Sequence, residues 1–389
     1  MPHALPPVTL SRTGAVTAAG VGVEALWRAL LTAEPLARTV ERYRTDDLTV
    51  RRAALVDDAL WRGFEARWPA AERSVQLALA AVEDALAGAA PPPDTALFLG
   101  TSLGGVSSWE PWHAALVRGD ALPPAPGCAG HGDTAVQVAR AFGLRGEVVT
   151  VSTACTSSAS ALIQAADAVR LGEVERALVV GVDVLCRFVH AGFDRLGALT
   201  PEHLTPRPFC ADRAGMWLGE GAAAVLVVRE GAGVARYLGG GAAGDGVHMT
   251  APDRAGGGLH RASTRALREA GVAPGDVAWV SAHATSTRFN DAMEAAGLAR
   301  VFGAELPPVH GAKPVLGHTL GASGLLEVVL CVEALRRRER PPTHAPTPPD
   351  PALAHVPVDR APAAMAPGVA LSLNSAMAGH NTAIVLGAP

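Results

Sequence analysis

Cys155 lies where a predicted strand turns into a predicted helix. The β-branched run Val148–Val151 ends in a group of small residues, and a helix-patterned stretch follows over 156–171. At such a hinge, the unpaired N–H groups and the positive dipole end of the helix favour a thiolate over a thiol. Cys155 is therefore a candidate nucleophile, although a cysteine taken at random is more often an ordinary core residue.

Two histidines in the second part of the chain are the other candidates for chemistry. His283 opens the sequence HATST after a predicted strand, and His318 lies in GHTLGASGLL. The second sequence corresponds to ACTSSASAL around Cys155, because in each a reactive side chain precedes a helix lined by Gly, Ala and Ser. Histidine titrates near neutral pH, but most of the 13 histidines are expected to be ordinary surface or capping residues.

Length and composition limit the class of protein. The 389 residues suffice for one large duplicated domain or two ordinary ones. With 49% hydrophobic residues, 18% charged residues and 42 glycines, the chain fits a layered α/β protein and not a disordered one. The net charge of -4 gives no overall attraction to nucleic acid or an anionic membrane.

The cysteine pattern and the hydropathy indicate the compartment. Five widely spaced cysteines without a CxxC pair speak for a reducing compartment and against a disulfide framework or a zinc site. The sequence shows no signal peptide and no apolar run of about 18 residues. We therefore expect a cytoplasmic protein without a metal.

The predicted elements form two similar series. The first has a strand and turn over 7–20, helices at 23–31 and 71–88, strands at 95–100, 148–151, 177–182 and 222–228, a lid or interface excursion at 106–130, and an irregular stretch at 188–221. The second has strands at 235–241, 277–282 and 383–387, a helix at 260–270, and a small-residue turn into a helix over 314–336. We predict one duplicated α/β fold with halves 1–233 and 234–389, in which the two small-residue helices pack together and bring Cys155 and His318 into one site.

Four groups of residues together resemble the β-ketoacyl-acyl-carrier-protein synthases. They are TACTSS at 153–158, RPF at 207–209 with GEG at 219–221, HATST with Asn290-Asp291, and Lys313 with GHTLG at 317–321. The match runs in order over nearly the whole chain and is closest to elongating condensing enzymes of type II fatty-acid and polyketide systems. The sequence HAGFDRLGALT at 190–200 also resembles synthases of aryl-polyene-like pathways. The resemblance implies the thiolase fold, with α-β-α-β-α layers from two duplicated halves, usually in a dimer.

The resemblance also implies a role for individual residues. Cys155 would accept the acyl group, and His283 and His318 would donate N–H bonds to the enolate left when a malonyl thioester loses carbon dioxide. Lys313 and Glu327 would support the histidines electrostatically. Backbone N–H groups of Cys155 and of the loop 374–379 would form an oxyanion hole. The implied substrate contacts are Thr285 and Thr287, for a phosphopantetheine arm, and Phe209, Met377 and Gly379.

The loop near the C-terminus departs from the family pattern. Where the family has a sequence like NSFGFGGTN, this chain reads NSAMAGHN at 374–381, one residue shorter. Met377 is more adaptable than the usual phenylalanine, and His380 adds a titratable group at a position that usually carries threonine or another small residue. Our hypothesis is that the gating of the acyl pocket is altered. Cys210, at a usual aspartate position, is interpreted as structural.

The resemblance implies that acyl-carrier protein is the partner that delivers the substrates, and it implies no separate cofactor. The sequence GGGAAG at 239–244 matches a dinucleotide-binding pattern only formally, because no helix pattern follows it. Carrier proteins are acidic, so five arginines could form a docking face or merely a solvated surface: Arg51, Arg52, Arg62, Arg67 and Arg73. We expect a homodimer or a heterodimer with a chain-length factor, and no nucleic-acid or membrane partner. Two alternatives stay open: a subunit that depends on or serves as such a partner, and a thiolase-like acyltransferase, against which the lack of a cysteine in NSAMAGHN speaks.

Overall fold

The computed structural model describes residues 6–125, 127–128 and 130–389. Predictions that concern residues 1–5, 126 and 129 lie outside these ranges. The strands are β1 (Val8–Thr17), β2 (Gly20–Val21), β3 (Arg38–Thr39), β4 (Arg52–Ala54), β5 (Ala96–Gly100), β6 (Val148–Val151), β7 (Arg176–Asp183), β8 (Leu218–Gly219), β9 (Gly221–Val228), β10 (Ala235–Gly244), β11 (Val277–Ser281), β12 (Val309–His310), β13 (Glu339–Arg340), β14 (Ala363–Ala364), β15 (Val369–Ser375) and β16 (His380–Gly387).

Helices precede or follow most of the longer strands, as expected for an α/β chain. They are α1 (Val23–Thr32), α2 (Asp58–Arg67), α3 (Arg73–Leu86), α4 (Val106–Arg118), α5 (His131–Ala141), α6 (Ser157–Leu171), α7 (Arg187–Arg195), α8 (Gly257–Ala270), α9 (Arg288–Phe302), α10 (Lys313–Leu316) and α11 (Ser323–Arg337).

The large sheet of the described residues has eleven strands, which are two five-stranded sets with the same topology and β2, which pairs with β1. In the first set the strand order is β6-β5-β7-β9-β1, and in the second it is β12-β11-β15-β16-β10. In each set, the first three strands of this order run parallel and the next two pairings are antiparallel. A short antiparallel pairing of β1 with β10 joins the sets. Equal strand order and direction in both sets confirm the predicted duplication.

Helices α6 and α11 form the middle layer between the two five-stranded sets. Each contacts strands of both sets, and they contact each other. Helices α3 and α5 cover the outer face of the first set, and α8, which packs on α9, covers that of the second. The resulting α-β-α-β-α order confirms the layers that the resemblance implied.

Small residues allow α6 and α11 to approach each other closely. A Cβ atom built on Gly324 of α11 would lie 2.7 Å from the Cβ atom of Ala159 on α6. The Leu325 N–H of α11 donates to Ser158 Oγ of α6 at 2.9 Å. Residues 323–335 of α11 are all buried. The two reactive hinges therefore meet because small residues occupy the contact between the two helices.

The predicted elements are confirmed within a few residues, but the sequence did not predict the helices α2, α4, α5, α7 and α9. The 106–130 excursion contains α4, which carries Pro111 inside the helix and buries little but Ala115, so it lacks a strong apolar pattern. The stretch called irregular at 188–221 contains α7. Helix α9 went unpredicted because its buried face includes Asp291 and Glu294, which read as surface residues in a sequence.

In the described ranges, no helix combines the length and apolar character needed to cross a lipid bilayer.

We expect Gly324→Ala to lower the free energy of unfolding by about 1–3 kcal/mol, because the added methyl group forces α6 and α11 apart. Urea unfolding followed by circular dichroism measures this change. Gly63→Ala is the matched control, since nothing lies within 4 Å of the added methyl group in α2, and alanine favours a helix over glycine by about 1 kcal/mol. If Gly324→Ala unfolds at the same urea concentration as the unchanged protein, the close packing of α6 against α11 at this position is contradicted.

Candidate active site

The turn between β6 and α6 presents Cys155 to a buried space. Ala154 has a positive φ of 52°, a conformation that costs free energy for a non-glycine residue. Hydrogen bonds within the turn hold it: Ser157 Oγ donates to Ala154 O at 2.6 Å, and the Thr153 N–H donates to Ser157 Oγ at 2.9 Å. Thr156 is the N-cap of α6. Cys155 therefore lies one residue before the helix cap, as the sequence predicts.

His318 lies against the thiol, with 3.1 Å between its Nε2 atom and Cys155 Sγ. Its other ring nitrogen, Nδ1, accepts from the Leu320 N–H at 3.2 Å and lies 3.0 Å from Ser323 Oγ. A backbone N–H can only donate, so Nδ1 of the neutral ring carries no hydrogen and Nε2 does. His318 is thereby fixed as a hydrogen-bond donor toward the sulfur and the space beside it.

His283 completes the group, since one of its ring nitrogens lies within 4.8 Å of Cys155 Sγ and of a ring nitrogen of His318. The rings of His283 and His318 meet edge to face, with centroids 5.2 Å apart. Both oxygens of the Glu294 carboxylate accept backbone N–H groups of this loop, from His283 at 2.6 Å and from Ala284 at 2.8 Å. The Nδ1 atom of His283 is buried and has no partner in the described part of the chain.

A buried ion pair lies behind the histidines. Lys313 Nζ is 2.6 Å from Glu327 Oε1, and Asn374 Nδ2 donates to Glu327 Oε2 at 2.5 Å. The lysine side chain is 3% exposed, so its charge is poorly screened by water. The resemblance implied that Lys313 and Glu327 support the histidines electrostatically. In the structure these two residues pair with each other, and their support of the histidines stays a prediction.

Burial sets the protonation states of the site. Loss of hydration, and then the Lys313 charge, lower the pKa of His318 well below its usual value, and the same two causes lower that of His283. Burial also raises the pKa of Cys155 to about 12, although the Lys313 charge opposes this. The helix end alone led us to expect a thiolate; the structure instead favours a thiol beside two neutral imidazoles at neutral pH.

The three reactive groups also have the spacing of metal ligands, since one atom from each lies within 4.8 Å of the others. The hydrogen bonds of His318 oppose this use. A neutral imidazole that binds a metal through Nε2 carries its hydrogen on Nδ1, but there the Leu320 N–H already donates. The arrangement fits a donor of hydrogen bonds better than a metal ligand.

A cavity of about 610 Å³ opens onto Cys155, His283 and His318. Its lining includes the predicted contacts Thr285, Thr287, Met377 and Gly379, together with apolar side chains and Arg288 at the start of α9. Thr285 Oγ1 lies 2.9 Å from Thr287 Oγ1. The structure therefore brings four of the five predicted substrate contacts to one space.

Phe209 is the exception, and its prediction as a substrate contact needs correction. It is absent from the described cavity lining and packs instead in the core of the second half. Its φ is 62°, and its N–H donates to Asp291 Oδ2 at 2.9 Å. The Asp291 carboxylate also accepts from the Ser286 N–H at 3.1 Å. The RPF sequence thus supports the HATST loop through Asp291, which accepts N–H groups from both.

Several residues that the sequence did not indicate position the site. Asp183, at the end of β7, accepts from Thr101 Oγ1 at 2.6 Å and from the Gly321 N–H at 2.6 Å, so it ties a loop of the first half to the GHTLG loop of the second. Glu294 holds the loop that carries His283, because its carboxylate accepts the N–H groups of His283 and Ala284. In a sequence, a single acidic residue beside apolar residues does not indicate which loop it will contact.

Of the five arginines proposed as a docking face, several are already paired. Arg67 lies 2.6 Å from Glu83, Arg73 3.3 Å from Glu65, and Arg52 3.3 Å from Glu202. Their charge is thereby reduced. The docking face remains a hypothesis, with less support than the sequence suggested.

The rate of Cys155 alkylation by iodoacetamide is expected to rise about tenfold per pH unit from pH 7 to 9 without reaching a plateau. The reason is that the thiolate is the reactive form, and a raised pKa leaves only a small fraction of it in this range. Intact-protein mass spectrometry follows the reaction, with Cys155→Ala as the background. A plateau below pH 8.5 would show instead that the helix end overcomes burial.

Comparison with known proteins assigns the family. Residues 7–232 match the model of the β-ketoacyl synthase N-terminal domain, and residues 234–346 match that of the β-ketoacyl synthase C-terminal domain. A 3-oxoacyl-acyl-carrier-protein synthase 2 of Rhizobium meliloti is 31% identical, over 86% of this chain and 88% of its own.

Solved structures agree with this assignment. The ishigamide ketosynthase/chain length factor has a TM-score of 0.91 at 31% identity, covering 99% of this chain and 100% of that chain. A ketosynthase in complex with its chain length factor, from Xenorhabdus doucetiae, has a TM-score of 0.83 at 28% identity, covering 99% and 98%. With both domain models matched in order and a buried cysteine facing two histidines, the chain belongs to the β-ketoacyl synthase family and has its thiolase fold.

Proposed function

We propose that this protein extends an acyl chain held on Cys155 by decarboxylative condensation with a malonyl unit delivered on acyl-carrier protein, in fatty-acid, polyketide or polyene synthesis. The observation that carries the proposal is the 3.1 Å contact between Cys155 Sγ and a His318 whose Nε2 must donate. His283 faces the same cavity. The site thus has one nucleophile and two neutral imidazoles to stabilise negative charge.

In the first half-reaction, Cys155 Sγ attacks the carbonyl carbon of an acyl thioester. The new C–S bond replaces the bond to the pantetheine sulfur, and the thiol proton of Cys155 ends on that leaving sulfur, so no net base is consumed. The tetrahedral oxyanion needs N–H donors. The Cys155 N–H is one, and a second comes from the turn 376–379, whose residues Met377 and Gly379 line the cavity.

In the second half-reaction, the malonyl thioester loses carbon dioxide and leaves an enolate. The Nε2–H group of His318, with His283 beside it, donates to the enolate oxygen. Neutral rings suit this task because the lowered pKa values keep both histidines from charging near pH 7. The enolate carbon attacks the acyl carbonyl, the bond to Cys155 Sγ breaks, and the thiolate takes a proton from solvent.

Lys313 and Glu327 support this chemistry without contacting the substrate in the proposal. The Lys313 charge acts on Cys155 and on both histidines, in each case favouring the form that the reaction uses: the thiolate and the neutral imidazole. Glu327 holds the ammonium group at 2.6 Å. Removing one member would leave the other as a buried, unpaired charge.

The partner surface is proposed from exposed apolar side chains and from the relatives. Helix α4 leaves Leu116 51% and Val117 74% exposed, and Phe188 on α7 is 71% exposed. The Phe188 N–H donates to Glu110 of α4, so the two helices lie together. Two similar solved structures, the ishigamide one and the one from Xenorhabdus doucetiae, contain a ketosynthase with a chain length factor. We propose that this face binds a second ketosynthase-fold chain, identical or not.

Incubation with a panel of acyl-carrier proteins tests the function by intact-protein mass spectrometry. The unchanged protein should gain one acyl mass and release a β-ketoacyl product when malonyl-carrier protein is added. Cys155→Ala should not load, while Cys128→Ala, a buried cysteine outside the cavity lining, should load normally. His283→Asn should load but condense at least about 100-fold more slowly, since one donor to the oxyanion is lost.

The outcomes separate the two candidate functions. Loading and condensation by the purified chain alone indicate a self-sufficient synthase. Activity only after co-expression with a related chain indicates a heterodimer subunit, the alternative favoured by the two ketosynthase pairs. Failure to load any carrier, alone or with a partner, contradicts the proposal.

Arg288→Ala is expected to raise the KM for acyl-carrier protein several-fold without changing kcat. Arg288 is exposed, lines the mouth of the cavity and begins α9, whose N-terminal end also favours a phosphate. The effect should shrink as salt rises. Arg62→Ala is the matched control, because Arg62 is exposed and belongs to the five-arginine docking hypothesis. An equal rise of KM in both variants would indicate that carrier protein also contacts the five-arginine face, and would contradict a specific role of Arg288.

A further inference from the structure

His380 makes a hydrogen bond that connects the two halves beside the nucleophile. Its Nδ1 atom lies 2.8 Å from Thr156 Oγ1. Thr156 directly follows Cys155 in the chain and is completely buried. His380 begins β16 and directly follows the turn 376–379. The contact therefore joins the nucleophile turn of the first half to a cavity-lining turn of the second.

The direction of this hydrogen bond follows from the partners of Thr156. A hydroxyl group has one hydrogen, and Thr156 donates it to Thr153 O at 2.6 Å. Thr156 Oγ1 therefore accepts from His380, whose Nδ1 carries the hydrogen. Thr153 belongs to the same turn, so the chain of bonds from His380 ends in the backbone that carries Cys155.

The turn next to His380 has most of its amides committed. The Ala376 N–H donates to His380 O at 2.8 Å, the Ala378 N–H to Met249 O at 2.8 Å, and the Gly379 N–H to Ala376 O at 3.0 Å. The Met377 N–H takes part in none of these bonds, and Met377 lines the cavity with Cys155. Met377 thus offers the amide that is available for an oxyanion.

We propose that His380 is a positioning residue, which holds the turn 376–379 against the nucleophile turn through Thr156, so that the N–H groups of Met377 and Cys155 face the same acyl oxygen. This inference rests on the proposed function. Backbone strain supports the need for such a hold, because Ala378 (φ 66°) and Ala154 (φ 52°) both have left-handed conformations on either side of the contact.

Three substitutions of His380 distinguish the effect of the position of its N–H donor from the effect of its side-chain size. In His380→Asn, the side-chain NH2 group occupies nearly the place of Nδ1 and keeps the bond to Thr156. In His380→Gln, the NH2 group lies farther out, near the place of Nε2, and His380→Leu has no donor. We expect Asn to keep the acyl-transfer rate within about threefold, and Gln and Leu to lower it about 10- to 100-fold at unchanged KM for acyl-carrier protein.

Alkylation of Cys155 by iodoacetamide provides a readout that a general structural loss would also change. This reaction displaces iodide from a tetrahedral carbon and forms no oxyanion, so it does not need the Met377 N–H. In His380→Gln and His380→Leu, we expect single-turnover acyl transfer to fall while alkylation stays within about twofold of the unchanged protein. An equal fall of both rates would show a collapse of the nucleophile turn and overturn the proposal.

Thr156 gives an independent test if a His380 variant does not fold. Thr156→Val should reduce acyl transfer as His380→Gln does, Thr156→Ser should keep it, and the double variant should be no slower than the single ones. Unchanged acyl transfer in both His380→Gln and Thr156→Val contradicts the inference. Failure of the unchanged protein to load or condense contradicts the proposed function instead, so the two failures are distinguishable.

Discussion

The close contact between α6 and α11 is the constraint on which the site depends. Cys155 precedes one helix and His318 the other, so the distance between sulfur and imidazole is set by how near the two helices can come. Gly324 and Ala159 make that approach possible, and a single added methyl group would meet Ala159 at 2.7 Å. A close-packed interior transmits the strain that a small change of side-chain volume causes. Substitutions in this layer are therefore expected to disturb the site.

Burial by the same layers gives the site its chemistry. The three reactive side chains lose water, which disfavours the charged form of each: the histidines stay neutral and the cysteine stays protonated. Lys313 then acts through a poorly screened medium and shifts the balance back toward the thiolate without charging the imidazoles. In the proposed reaction, the nucleophile therefore starts as a neutral thiol, and negative charge develops on oxygen atoms beside N–H donors.

Buried carboxylates hold the loops that carry these groups. Asp183, Glu294 and Asp291 each accept backbone N–H groups from a loop at the end of a strand. Outside the site, Glu220 of the GEG sequence likewise accepts from the Val56 N–H at 3.0 Å and from Trp61 Nε1 at 3.2 Å. Irregular backbone in an interior has few neighbours with which to satisfy its amides, and these acids supply the acceptors.

The sequence by itself determined the duplication and most of the longer elements, because apolar periodicity and small-residue hinges are local properties of the chain. Its resemblance to a known family indicated which residues meet at the cavity. It did not determine α9, whose buried face carries two acids, or the place of Phe209, which lies in the core and not in the cavity. It also predicted a thiolate from the helix end, whereas burial favours the thiol. Desolvation, the hydrogen of His318 and the contact of His380 with Thr156 depend on residues far apart in the chain, so only the tertiary structure decided them.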